Sequence, residues 1–305
     1  MPWSRRHFLR SVAISSGAMA APSLLASQQS RFDRDSLVVL HTNDVHSRVD
    51  PFPARDKRYG GQGGVLGRIN LIKKVREQYA NVLLLDAGDI FQGTPYFNFF
   101  KGELEIKLMS EMGYDAATMG NHDFDAGIEG FVKQLPHARF PFLCSNYDFS
   151  QTELHGLTRS NVILKRGEYT IGLFGIGIEL QGLVPKNLYG ETRWLDPIEI
   201  AKEQSVELRR RGCDIIICLS HLGYRYKNDK ICDVQLARRV PEIDLILGGH
   251  THTFLETADE VQHENDSSTY IAQAGWAGLR LGMIRFGKKD ERIGLRSSDN
   301  LAVYA

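Results

Sequence analysis

From Leu37 onward, short apolar runs recur along the chain, each closed by a polar or glycine-bearing turn. They cover residues 37–41 (LVVLH), 82–86 (VLLLD), 116–119 (AATM), 140–144 (FPFLC), 169–176 (YTIGLFGI), 214–220 (DIIICLS) and 244–248 (DLILG). These runs are nearly continuous rather than alternating, the mark of strands covered on both faces. Longer segments with apolar residues at helical spacing fit between them. Residues 63–80 (GGVLGRINLIKKVREQYA) form one such segment. Residues 196–212 (DPIEIAKEQSVELRRRG) form another, with Asp196 as N-cap, Pro197 at N1, Glu199 at N3 and Gly212 as the stop. Residues 269–275 and 278–287 predict two further strands. Strands alternating with helices predict an α/β domain over residues 36–305, with residues 27–35 as a polar linker.

Composition changes this picture little. The 305 residues are 42% apolar and 24% charged, ordinary for a globular protein. Lys+Arg and Asp+Glu are equal at 37, which argues against a binder of polymeric nucleic acid. No apolar run after the N-terminus is long enough to span a membrane. Residues 1–26 read differently. The basic stretch SRRHFLR is followed by an uncharged one, SVAISSGAMAAPSLLA, which describes an export signal. Arg5 and Arg6 with Phe8 and Leu9 resemble the twin-arginine export motif. Cleavage is expected after Ala20 or Ala26, and no cysteine follows, which argues against a lipid anchor. The expected destination is periplasmic or otherwise extracytoplasmic. Cys144, Cys213, Cys218 and Cys232 lack close-paired metal spacing. Cys144 and Cys218 lie in apolar runs and read as small buried hydrophobes, although this oxidising destination leaves a disulfide open.

Five of the predicted strands end in the same kind of chemistry. VVLHTNDVH ends with Asp44 and His46, and VLLLDAGD with Asp86 and Asp89. AATMGNHDFD ends with Asn121, His122, Asp123 and Asp125. IIICLSH ends with His221, and LILGGHTH with His250 and His252. Ligand sites of α/β folds gather at the carboxyl ends of strands. Five of the ten histidines sit at these ends, often beside glycines that allow close approach. Taken singly, Asp44 or Asp89 could brace a turn, Asn121 could be a turn residue and His221 a core histidine. Together they point to a metal centre. His250 and His252, one residue apart in a segment read as extended, would point the same way into one pocket. His41 and Asp86 read as supporting residues behind the ligands.

The ordered set DVH, GD, GNHDFD, SH and GGHTH resembles the calcineurin-type metallophosphoesterases. HTNDVHSR, DAGDIFQGTP, GYDAATMGNHDFD, LSHLG and DLILGGHTHT resemble the catalytic domain of their 5′-nucleotidase branch. The resemblance implies a four-layer αββα sandwich with two central mixed β-sheets. It implies two divalent ions, one on Asp44, His46, Asp89 and His252, the other on Asp89, Asn121, His221 and His250. Asp89 would bridge them, and Asn121 would also reach the substrate. Two such ions clamp an in-line displacement at phosphorus and lower the pKa of a shared water. With two carboxylates and otherwise neutral ligands, the centre keeps positive charge for a phosphate. Mixed nitrogen and oxygen ligands suit manganese, iron, zinc or cobalt. His122 and Asp125 resemble the family's His–Asp dyad. Asp125 would orient the imidazole, and His122 would steady the transition state or protonate the leaving alkoxide.

The implied function is an exported phosphohydrolase of phosphomonoesters, with a nucleotide as the expected substrate. A phosphodiesterase, a 2′,3′-cyclic nucleotide hydrolase or a thiosulfate-ester hydrolase could use the same centre. A metal-bearing subunit inactive alone is a reading from another class, which the intact His122–Asp125 pair argues against. Complete 5′-nucleotidases carry a second, C-terminal domain for the base, and none is expected here within 305 residues. A separate polypeptide is one expected source of it. The aromatic stretch 90–100 (IFQGTPYFNFF) reads either as a docking face or substrate wall, or as a buried helix start. His252 stands where two-domain nucleotidases often have Gln or Asn, so it follows the broader phosphoesterase pattern.

Overall fold

A computed structural model describes residues 32–289 and 292–305. The export segment and the linker's first residues, 27–31, lie outside the described residues. The strands are β1 (Asp33–Thr42), β2 (Tyr79–Asp86), β3 (Ala116–Ala117), β4 (Tyr147–Asp148), β5 (Asn161–Arg166), β6 (Tyr169–Ile176), β7 (Arg193–Trp194), β8 (Ile215–Ser220), β9 (Leu245–Gly248), β10 (Asp259–Gln262), β11 (Ser268–Ala272), β12 (Arg280–Lys289) and β13 (Arg292–Ala302). The α-helices are α1 (Val65–Arg76), α2 (Pro95–Phe100), α3 (Glu103–Met112), α4 (Gly127–Gln134), α5 (Lys186–Tyr189), α6 (Pro197–Arg210) and α7 (Asp233–Arg239). β1 begins at Asp33, inside the stretch expected as linker.

Two mixed sheets form the centre. The first runs β13-β12-β1-β2-β3, and the second β10-β11-β9-β8-β6-β5. β1, β2 and β3 are parallel to one another, as are β6, β8, β9 and β11. Strand alternation explains the layers. Leu37, Val39, Leu83 and Leu85 pack against Ile171, Leu173, Ile217 and Leu247 between the sheets. Val38, Leu40, Val82 and Leu84 face the other way, toward Ile72 and Val75 of α1 and Ile106 and Met109 of α3. Phe174, Ile216, Cys218 and Ile246 face Ile198, Ala201 and Leu208 of α6 and Val234 and Leu236 of α7. The result is the expected αββα sandwich. Each fully buried aliphatic side chain in these layers contributes about 2 kcal/mol.

Helix α6 starts where its sequence predicts. The Asp196 carboxylate accepts from the backbone N–H groups of Ile198 and Glu199 at 2.8 and 3.1 Å. Residues 140–144 differ from expectation. A single bridge, Ala117 with Phe142, sets them beside β3, another joins Leu143 to Arg159, and they do not extend a ladder. The aromatic stretch divides between the two readings: Ile90, Phe91 and Phe97 are buried, whereas Phe99 and Phe100 are exposed. All four cysteines are buried and unbridged.

Candidate metal centre

The seven predicted ligands converge where the parallel strands of both sheets end. Two clusters have ligand atoms close enough to hold an ion: Asp44, His46 and His252, and Asp89, His221 and His250. Asn121 joins the second, its Oδ1 2.8 Å from His250 Nδ1. The clusters share their carboxylates. Asp89 Oδ2 lies 3.1 Å from His221 Nε2 and 3.9 Å from His46 Nε2. Asp44 Oδ1 lies 3.4 Å from His252 Nε2 and 3.9 Å from His221 Nε2.

The donor chemistry fits cations. His46 Nδ1 faces the Phe91 carbonyl at 3.2 Å, and His221 Nδ1 faces the Ala87 carbonyl at 2.6 Å. A carbonyl only accepts, so each Nδ1 carries a proton, and each ring when neutral presents the Nε2 lone pair inward. His221 Nε2 is fully buried and faces the Asp89 carboxylate. Burial pushes the His250 pKa down to about 4 and lowers that of His46, keeping both imidazoles neutral and able to ligate near pH 7. His221 differs: burial opposes its charge, yet adjacent Asp89 and Asp44 raise its pKa to about 10. A cation binding there takes the place of that proton.

Five of the seven residues hold a left-handed backbone: Asp44 (φ 49°), His46 (φ 52°), Asp89 (φ 55°), His250 (φ 70°) and His252 (φ 52°). For non-glycine residues this costs on the order of 1 kcal/mol each and persists where surroundings enforce it. It also corrects the extended reading of the final histidine pair. The segment bends at both residues, sending His252 toward His46 and His250 toward Asn121. Glycines supply clearance: a Cβ on Gly120 would lie 2.2 Å from Asp89 Oδ1, and one on Gly249 2.7 Å from His221 Nδ1.

Buried polar residues without a predicted role hold these turns. Asp123 accepts four backbone N–H bonds, from Gly120, Asp89, Ile90 and Phe91, at 2.8 to 3.1 Å. It joins the Asp89 turn to the Asn121 turn. Gln273 donates from Nε2 to the Gly249 carbonyl at 2.6 Å, and its Oε1 accepts from Thr253 N at 2.5 Å and Thr251 Oγ1 at 3.1 Å. Asn43 donates to Asp44 Oδ2 at 2.6 Å and to the Gly275 carbonyl at 2.7 Å. The motif GNHDFD contained Asp123, but no pattern in the chain singled out Gln273. As expected of a supporting residue, Asp86 is buried and accepts from Thr42 Oγ1 at 2.5 Å and Gly88 N at 2.9 Å. His41 is buried too.

His122 and Asp125 stand at the rim. His122 Nδ1 donates to Asp125 Oδ2 at 2.8 Å, which leaves Nε2 as the ring's second functional atom. The His122 ring lies 5.3 Å from that of His46, and its backbone N–H donates to Asp89 Oδ1 at 2.7 Å. The hydrogen bond to Asp125 raises the His122 pKa above the ordinary imidazole value.

A two-sheet sandwich with carboxylates and imidazoles at its strand ends defines a class, and comparison agrees. The family model for calcineurin-like phosphoesterase matches residues 37–254, and the chain belongs to that family of phosphoester hydrolases. Within it, the chain is similar to 5′-nucleotidases. It is 36% identical over 285 residues to the snake venom 5′-nucleotidase of Gloydius brevicauda, covering 87% of this chain and 47% of that protein. It is 34% identical over 285 residues to that of Crotalus adamanteus, with the same coverage of 87% and 47%. The crystal structure of a 5′-nucleotidase precursor from Thermus thermophilus superposes with a TM-score of 0.78 at 29% identity, covering 88% of this chain and 55% of that one. The chain thus spans about half the length of the relatives it matches. No helix among the described residues is long and apolar enough to cross a membrane.

Proposed function

We propose that this chain is an exported, dinuclear metal-dependent phosphohydrolase acting on phosphomonoesters, with nucleoside 5′-monophosphates as the preferred class. The supporting observation is the pair of ligand clusters that share Asp44 and Asp89 beside the His122–Asp125 dyad. In this reading Asp44, His46, Asp89 and His252 hold one ion, and Asp89, Asn121, His221 and His250 the other. The ions supply Lewis acidity for an in-line displacement and a nucleophilic water at neutral pH. Asn121 contacts the phosphoryl group. Asp125 orients His122 so that Nε2 stabilises the developing charge or delivers a proton to the leaving oxygen. The 5′-nucleotidase similarity supports the nucleotide choice. The paired Arg5 and Arg6 support export by the twin-arginine route.

Purified protein given manganese, zinc, iron or cobalt should release phosphate from nucleoside 5′-monophosphates faster than it opens 2′,3′-cyclic nucleotides or bis(p-nitrophenyl) phosphate. Bound metal with no turnover of any phosphomonoester would defeat the proposal. Full nucleotidase activity in the isolated chain would remove any need for a second polypeptide. Changing both Arg5 and Arg6 to Lys should retain the protein in the cytoplasm, and undiminished export would exclude that route.

A further inference from the structure

Beneath the turn that carries His46 lies a small chamber of about 20 Å³, walled by Ser47, Arg68, Asp86, Glu105, Met109 and Tyr114 among others. Ser47, Arg68 and Glu105 are 1%, 4% and 5% exposed. Ser47 Oγ, Arg68 Nε and Nη1, and both Glu105 carboxylate oxygens have no hydrogen-bond partner. Arg68 makes one bond, from Nη2 to the Arg48 carbonyl at 3.3 Å. A buried guanidinium and a buried carboxylate cannot both stay unsolvated in a stable fold. The chamber has room for water and is far too small for a phosphate or sulfate. The formal charges of Arg48 and Arg68 cancel those of Asp86 and Glu105 around the chamber, which favours a neutral occupant.

We propose that the chamber is an internal hydration site, in which one or two ordered waters bridge Arg68 of α1 to Glu105 of α3 and support the His46 turn from below. The link to the turn is direct. Arg68 donates to the carbonyl of Arg48, and Thr94 Oγ1 donates to that of Ser47 at 2.8 Å. Arg68 and Glu105 are therefore positioning residues, acting on His46 through the backbone.

A high-resolution crystal structure of the metal-loaded protein tests occupancy. Ordered density for water, bonded to both Arg68 and Glu105, is expected. A dry chamber, a direct Arg68–Glu105 ion pair that closes it, or density for a charged ligand would each overturn the proposal. A double-mutant cycle tests the coupling without relying on metal. Arg68→Met and Glu105→Leu should each lower the melting temperature by on the order of 10 °C, and the double variant should return to within about 3 °C of the parent. Additive losses would overturn it. Should a single variant fail to fold, Glu105→Gln preserves shape and should give a smaller loss, with weaker metal binding at the His46 cluster.

Discussion

The Nε2 atoms of His46 and His252 stand 3.1 Å apart, bringing the loop after β1 to the loop after β9. His46 Nδ1 is committed to the Phe91 carbonyl, so its Nε2 presents a lone pair to the other ring. Trp276 stacks on the far face of His252, its plane 5° from parallel and its centroid 5.7 Å away. Without a cation, this approach depends on one ring being protonated at Nε2. With one, His46 and His252 would both be able to ligate the ion, and its binding energy would become folding energy.

Metal removal should therefore destabilise the protein measurably. At a metal concentration about 100 times the dissociation constant, binding adds about 2.7 kcal/mol. For a domain of this size that is roughly 5–10 °C in melting temperature. Thermal melts with a chelator, then with manganese, zinc, iron or cobalt restored, would measure the shift. Equal melting temperatures throughout would contradict a metal centre built from these residues.

Asp89 Oδ2 lies within 4 Å of both His221 and His46, while its Oδ1 holds the His122 backbone. Asp89→Asn removes the shared charge without changing shape. The expected result is a loss of bound metal from two ions toward one or none, with turnover reduced at least about 100-fold. Elemental analysis beside a phosphate-release assay gives both numbers. Two bound ions with near-normal turnover would remove Asp89 from its bridging role.

The dyad makes a separable prediction. His122→Ala should slow hydrolysis of alkyl phosphates by about 10²–10⁴-fold, but cost far less with p-nitrophenyl phosphate, whose leaving group needs no proton. Equal losses on both substrates would count against proton donation. The Asp125 hydrogen bond raises the His122 pKa above its ordinary value, so the protonated form persists to higher pH. An acid is used protonated, so activity falls as pH rises through that raised pKa. Asp125→Asn weakens the hold on the proton, and the alkaline limb of the kcat profile should move to lower pH. An unmoved limb would detach Asp125 from this function.

What the sequence made legible follows from burial. Strands covered on both faces, such as β2, β6, β8 and β9, are continuous apolar runs and stand out. β5, β10 and β13 lie at sheet edges; β5 carries only a short, partly exposed apolar run at residues 162–164, and β10 and β13 are largely polar, so they do not stand out. Each candidate ligand has a side chain suited to metal binding and a place at a strand end, which made the set readable. The left-handed turns at His250 and His252 were not, because histidine carries no signature for positive φ. Gln273 is an ordinary amide in sequence, and its importance comes from contacts with residues 249, 251 and 253 that only folding creates.

Gln273 carries the last prediction. One amide binds the backbone on both sides of His250 and His252, at Gly249 and Thr253, and the hydroxyl between them at Thr251. Both histidines are held in strained conformations, so losing the amide frees the turn to relax toward more extended backbone. Relaxation would draw His252 from His46 and His250 from Asn121 at once, loosening both clusters. Gln273→Met keeps the volume and removes the bonds. Metal affinity should fall about 10–100-fold at both clusters, as for residues that orient ligands. Calorimetric titration of the two ions resolves this. Weakening at one cluster alone would mean that the histidines are positioned independently, and unchanged affinity at both would mean that packing around the turn suffices without Gln273.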